Sequence, residues 1–136
     1  YDQVAAIEDW LRKTVRYEPG SSNIPISAVE VNLKQAGVCR DLSHLGIALC
    51  RSLAIPARMV VGYRYGLVPM DMHAWFEAFV DGRWYTFDAT PTKLRGGYVA
   101  IGIGRDAADV AVYNQFGPAV YPLEQRVSVE RIEEDT

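Results

Sequence analysis

At 136 residues, with 49% apolar and 23% charged side chains, the chain is long enough for one domain with a core and too apolar for disorder. Fourteen basic against 17 acidic residues give a net charge of −3. The basic residues are scattered and form no stripe that would track phosphates, which argues against nucleic acid.

No apolar run approaches the roughly 20 residues that span a bilayer, and no secretory pattern stands at the start. The expectation is a protein off the membrane, in a reducing cytoplasmic setting. A chain starting at Tyr1 rather than Met is expected to be an excised domain or processed product. The two cysteines, Cys39 and Cys50, are too few for a disulfide framework.

In chain order, Val4, Ile7, Trp10, Leu11 and Val15 recur at helical spacing, predicting an amphipathic helix over 2–15. Residues 18–23 read as a loop by composition. Ser27 and Glu30 make a capping box that opens a short helix carrying Val29, Leu33 and Ala36, with Gly37 suited to a left-handed stop. A longer helix is predicted from Cys39 to Ala54, with Leu42, Leu45, Leu49 and Leu53 as its stripe and Asp41 in its first turn.

Pro56 breaks that helix, and residues 57–63 read as a buried strand. Residues 72–80 and 83–88 are predicted strands joined at Asp81-Gly82, a strong hairpin signal. A loop over 89–97, a strand over 98–103, an irregular stretch over 104–122 and a last alternating strand over 123–132 complete the reading. Helices first and antiparallel strands afterwards indicate an α+β fold, N-terminal helices packed on an antiparallel sheet.

Three short blocks stand out for chemistry: Gly37-Val38-Cys39-Arg40-Asp41, His73-Ala74-Trp75-Phe76-Glu77, and Trp84 to Pro91 around Asp88. They deliver a thiol, an imidazole and a carboxylate, the set needed for nucleophilic acyl transfer. If Asp81-Gly82 is a two-residue loop, Val80 lies opposite Arg83. Counting outward sets Trp75 opposite Asp88 and His73 opposite Thr90. His73 and Asp88 then share one face as diagonal neighbours, within side-chain reach. Cys39 at a helix start has unpaired N–H groups and a positive dipole end, which favour a thiolate and can help hold an oxyanion.

Cys50, mid-helix among leucines, reads as inert core. If both cysteines lie on one helix they are about 16 Å apart, beyond the roughly 7 Å a disulfide allows. His44 follows Cys39 by five residues, about 140° around the helix, and reads as a supporting, structural histidine. Trp75 either walls the site or packs against its hairpin partner. Tyr17 reads as an ordinary amphipathic tyrosine or as a hydrogen-bond donor into the cleft. A metal site built from Cys39, His44, His73 and Asp88 matches no tight zinc spacing, so no metal and no cofactor is expected.

These stretches, with Arg51 to Arg58, Val61-Gly62-Tyr63 and Gly104 to Val110, resemble the transglutaminase-like superfamily, specifically its bacterial branch of cysteine peptidases and related proteins. The match spans roughly residues 17–110. The resemblance implies a papain-like α+β core over residues 1–136, the C-terminal part of a longer protein. It implies Cys39 as nucleophile, His73 as general base and Asp88 as its orienter. The family's common Asp-Pro-Thr is Asp88-Ala89-Thr90 here, and nothing supplies a dedicated calcium site. The expected function is cleavage of an amide in a peptide or protein substrate through a thioester. Protein-glutamine transglutamination and a binding module that keeps the fold without catalysis are the alternatives. The Cys39 backbone N–H, Tyr17 and Trp75 are the candidates for oxyanion or substrate contacts.

Overall fold

The computed structural model describes residues 1–20, 26–94, 96–112 and 115–134. Among these, the elements run α1 (Asp2–Thr14), β1 (Arg16–Tyr17), α2 (Ala28–Lys34), β2 (Ala36–Gly37) and α3 (Cys39–Ser52). Four longer strands follow: β3 (Ala57–Arg64), β4 (His73–Val80), β5 (Arg83–Phe87) and β6 (Tyr98–Gly104). They form one antiparallel sheet in the order β5-β4-β3-β6, while β1 and β2 pair in parallel as a separate two-stranded ladder. The architecture is α+β, as the order of patterns along the chain implies.

The hairpin forms as its turn chemistry dictates. Asp81 and Gly82 both adopt positive φ, 51° and 83°, the pair a two-residue turn of matching twist requires. Register follows from Val80↔Arg83 inward to Phe76↔Phe87, as counted from the sequence. Ala74, Phe76 and Ala78 thereby face the helices, and His73 and Trp75 the opposite side.

Helix α3 lies against β4 at unusually close range, because Gly46 has no side chain. A Cβ there would sit 2.6 Å from the Phe76 ring. Around this contact Leu42, Leu45, Ile47 and Cys50 pack with Met59, Val61, Ala74, Phe76, Ala78 and Phe87, and α1 adds Val4 and Leu11. Each large apolar side chain so buried contributes about 1.5–3 kcal/mol. Cys50 is fully buried, in keeping with its inert reading.

Several sequence expectations are corrected. Residues 123–132 form no strand: the segment is unladdered backbone, exposed apart from half-buried Val127 and Val129, with Leu123 and Ile132 almost wholly in solvent. Alternation marks which face a strand would bury but supplies no neighbour to pair with. In α2, Val29 and Leu33 lie one turn apart on one side and are exposed, whereas Val31 on the other side is buried. So short a helix carries apolar residues on both sides, and packing chose Val31. Its left-handed stop is Gln35 (φ 51°), not Gly37. Leu53 and Trp10 are exposed members of their predicted stripes, and α3 ends at Ser52, not Ala54. Of the predicted 18–23 loop, residues 21–23 lie outside the described residues.

Candidate active site

Cys39 is the first residue of α3, and the local sequence explains why the helix starts there. Val38 is extended (φ −110°, ψ −178°), and the Asp41 carboxylate folds back to accept the Val38 N–H at 3.0 Å. Asp41 is fully buried, and Arg40 bonds it at 3.4 Å. The fold-back needs a glycine at 37, since a Cβ there would come within 2.7 Å of the Asp41 Cβ. Ser43 donates its hydroxyl to the Cys39 carbonyl at 2.8 Å. The Gly-Val-Cys-Arg-Asp block is thus a capped helix start that presents a thiol.

His73 begins β4 and pairs with Gly62 of β3. Its Nε2 bonds Asp88 Oδ2 at 2.7 Å, with both side chains buried. That leaves Nδ1 for a second partner. The Cys39 side chain is its further hydrogen-bond partner, so thiol, imidazole and carboxylate converge in series. Burial alone would lower the His73 pKa. Hydrogen bonds and charge from Asp88 and Cys39 outweigh it and raise the value to about 9.

Asp88 stands one residue past β5 and is held from every side. Besides His73, its Oδ2 accepts from Arg64 Nη1 at 3.1 Å and from the Tyr98 hydroxyl at 3.0 Å, and its Oδ1 accepts the Thr90 N–H at 3.0 Å. Burial opposes its charge, but His73 and Thr90 bonds hold its pKa below the usual carboxylate range. Arg64 is itself buried, lies over the Tyr98 ring at 4.7 Å and donates to the Leu94 carbonyl at 2.9 Å.

Tyr17 reaches the thiol through the parallel ladder. Tyr17 pairs with Gly37, and the Glu18 N–H bonds the Gly37 carbonyl at 3.0 Å. The Tyr17 hydroxyl then contacts both the backbone and the side chain of Cys39. Burial first, then the nearby Cys39 and Asp88, push its pKa up to about 12, so it stays a proton donor at neutral pH. An open cleft of about 890 Å³ runs over Cys39 and His73, walled by Tyr17, Leu67, Val68, Met72 and Leu94.

Trp75 does not wall that cleft. It is buried behind His73, ring centroids 6.0 Å apart, and packs on Tyr98 at 4.8 Å. His44 stays apart from the cluster. Its Nε2 accepts the Ala107 N–H at 3.1 Å and it bonds the Ile26 backbone, pinning two connections to α3. Among the described residues, no group of three or more His, Cys, Asp or Glu is placed to hold a metal ion.

Sequence reasoning did not single out Arg64, Tyr98, Thr90, Glu8 or Arg12. For the first two a signal existed: Arg64 pairs with Tyr98, and alternation along β3 sets Arg64 on the side of Gly62, the partner of His73.

The family model of the transglutaminase-like superfamily matches residues 1–89. An uncharacterised protein of Mycobacterium leprae is 33% identical over 117 residues, covering 79% of this chain and 42% of that protein. A candidate cysteine protease from Cytophaga hutchinsonii is similar in structure, with a TM-score of 0.77 and 53% identity over 82% of this chain and 39% of that one. Legionella pneumophila LapG shares the fold at 16% identity, with a TM-score of 0.57 over 82% of this chain and 73% of its own. The chain therefore spans about two fifths of the first two relatives.

Proposed function

Because the chain belongs to the transglutaminase-like superfamily, we propose that it is a cysteine-dependent acyl-transfer enzyme that hydrolyses amide bonds in peptides or proteins. One observation carries this reading: His73 bridges the Asp88 carboxylate, at 2.7 Å, and the Cys39 side chain.

In this reading the Cys39 thiolate attacks the amide carbonyl, forming the S–C bond. The oxyanion is held by the Cys39 backbone N–H and the Tyr17 hydroxyl. The His73 imidazolium gives its proton to the departing nitrogen as the C–N bond breaks, leaving a thioester and neutral imidazole. Water then attacks the thioester, His73 takes the water proton, and the C–S bond breaks to regenerate thiolate and imidazolium. Asp88 holds the ring and offsets its charge throughout. The cleft, open and about 890 Å³ in volume, gives room for water and for a chain-like substrate. An amine entering in place of water would give transamidation. A reducing cytoplasmic setting belongs to the same proposal, since it keeps Cys39 a free thiol.

The test is incubation with a diverse peptide library, scoring new N-termini and, in parallel, incorporation of a labelled primary amine into glutamine peptides. New N-termini that vanish in Cys39→Ala are expected. Amine incorporation without cleavage would reassign the acceptor. Equal, slow alkylation of Cys39 and Cys50 near neutral pH, with no product of either kind, would favour a non-catalytic binding module.

A further inference from the structure

We propose that helix α1 positions Asp88, through Glu8 and Arg12 acting as a two-point clamp on its main chain. This rests on the reading of Asp88 as the group that orients His73. Strand β5 ends at Phe87, so Asp88 is the first residue beyond the ladder. Its main chain is bonded instead from α1. The Asp88 N–H donates to Glu8 Oε2 at 2.8 Å, and Arg12 Nη2 donates to the Asp88 carbonyl at 2.9 Å. Arg12 also bonds Glu8 Oε1 at 3.2 Å, which ties the two jaws together.

The four-residue spacing puts both side chains on one face of α1. The helix is anchored beneath them by buried Val4 and Leu11. Arg64, Tyr98 and Thr90 fix the carboxylate; the clamp fixes the peptide that carries it. Without the clamp, Asp88 would swing on an unladdered segment and its bond to Nε2 would lengthen. Glu8 and Arg12 are therefore positioning residues that act on the chemistry through Asp88.

The experiment follows iodoacetamide alkylation of Cys39 against pH, with Cys50 resolved by peptide mass spectrometry. The alkaline inflection reports His73, whose pKa is raised to about 9. Glu8→Ala is expected to lower that inflection by about half a unit or more, the size to which one hydrogen bond's net worth converts. Glu8→Gln keeps an acceptor oxygen and stays near wild type, so an equal fall in both variants would reduce the effect to charge and overturn the clamp. Arg12→Gln removes a cation, which by charge alone would raise the inflection; a fall there supports positioning. In an Asp88→Asn background Glu8→Ala should shift nothing further. A lower melting temperature with an unmoved inflection, or an equal shift in that background, overturns the proposal. Wild-type Cys39 that alkylates no faster than Cys50 would instead remove the triad reading itself.

Discussion

Arg64→Met tests the electrostatic account of the site most directly. The Arg64–Asp88 pair is 3.1 Å apart with side chains only 5% and 4% exposed. At an effective dielectric constant near 20, charges at that distance attract by about 5 kcal/mol. Forming the pair is offset by the desolvation of both ions, so its net worth is far smaller. Removing one partner alone is different: Asp88 stays buried with its charge less compensated, and such losses run to about 3–5 kcal/mol. His73 and Tyr98 still bond Asp88 in the variant, which argues for the lower end. Urea melts should therefore show a loss of about 3 kcal/mol, equivalent to roughly 10 °C in melting temperature for a chain this long. Adding Asp88→Asn removes the stranded charge, so the double variant should be more stable than the two single losses predict by about 2 kcal/mol. The exposed Lys13–Asp9 pair is the contrast, since Lys13→Ala should cost under about 0.5 kcal/mol. An Arg64→Met loss under about 1 kcal/mol, or simple additivity with Asp88→Asn, would refute the reasoning.

The remaining predictions concern the helix contact, the oxyanion donor and pH. Gly46→Ala would put a methyl 2.6 Å from the Phe76 ring, costing about 1–3 kcal/mol by overpacking and separating Cys39 from His73, so both urea stability and Cys39 alkylation at pH 8 should fall. Tyr17→Phe keeps the ring and loses the donor; kcat should drop about 10²-fold with KM little changed, and equal kcat would return the tyrosine to a packing role. For pH, the signs of the two histidines are opposite. The folded pKa of His73 is raised to about 9, so its stabilisation is full below about 6.5 and is lost as pH rises through about 9. The folded pKa of His44 is lowered, chiefly by burial, so its stabilisation is full above about 6.5 and is lost as pH falls through its folded value. Melting temperature against pH should decline on both sides, with His44→Gln flattening the acid side and His73→Gln the alkaline side.

Much of the site was legible because its chemistry is written in short blocks with local rules. The Asp81-Gly82 turn fixes register, and register puts His73 and Asp88 on one face without any knowledge of the rest of the fold. The Gly37–Asp41 block announces a helix start because its glycine, its carboxylate and its thiol act within one turn. Tyr17 stands between two readings in the sequence for the opposite reason. Its approach to Cys39 depends on a two-residue parallel ladder, and two residues carry no periodicity to detect. The last expected strand failed on the same principle seen from the other side. Val127 and Val129 alternate, yet pairing is a property of two segments and alternation of only one.

Much of the shell around Asp88 is hard to read from the sequence, and the reason is distance along the chain. Glu8 and Arg12 act across 80 and 76 residues, and Arg64 across 24. On α1, Glu8 and Arg12 look like an ordinary solvent-facing pair at helical spacing, and they do bond each other. Helical spacing sets Glu8 and Arg12 beside the apolar stripe and Asp9 and Lys13, which bond each other, across from it, but it does not say what Glu8 and Arg12 will meet. The difference is where the helix docks, and docking is set by Val4 and Leu11 entering the common core. An apolar stripe read as packing thereby decides which polar neighbours reach the carboxylate. The orientation of Asp88 is thus a consequence of core packing on the adjoining face of the same helix, and a cavity at Leu11 should disturb His73 without touching it.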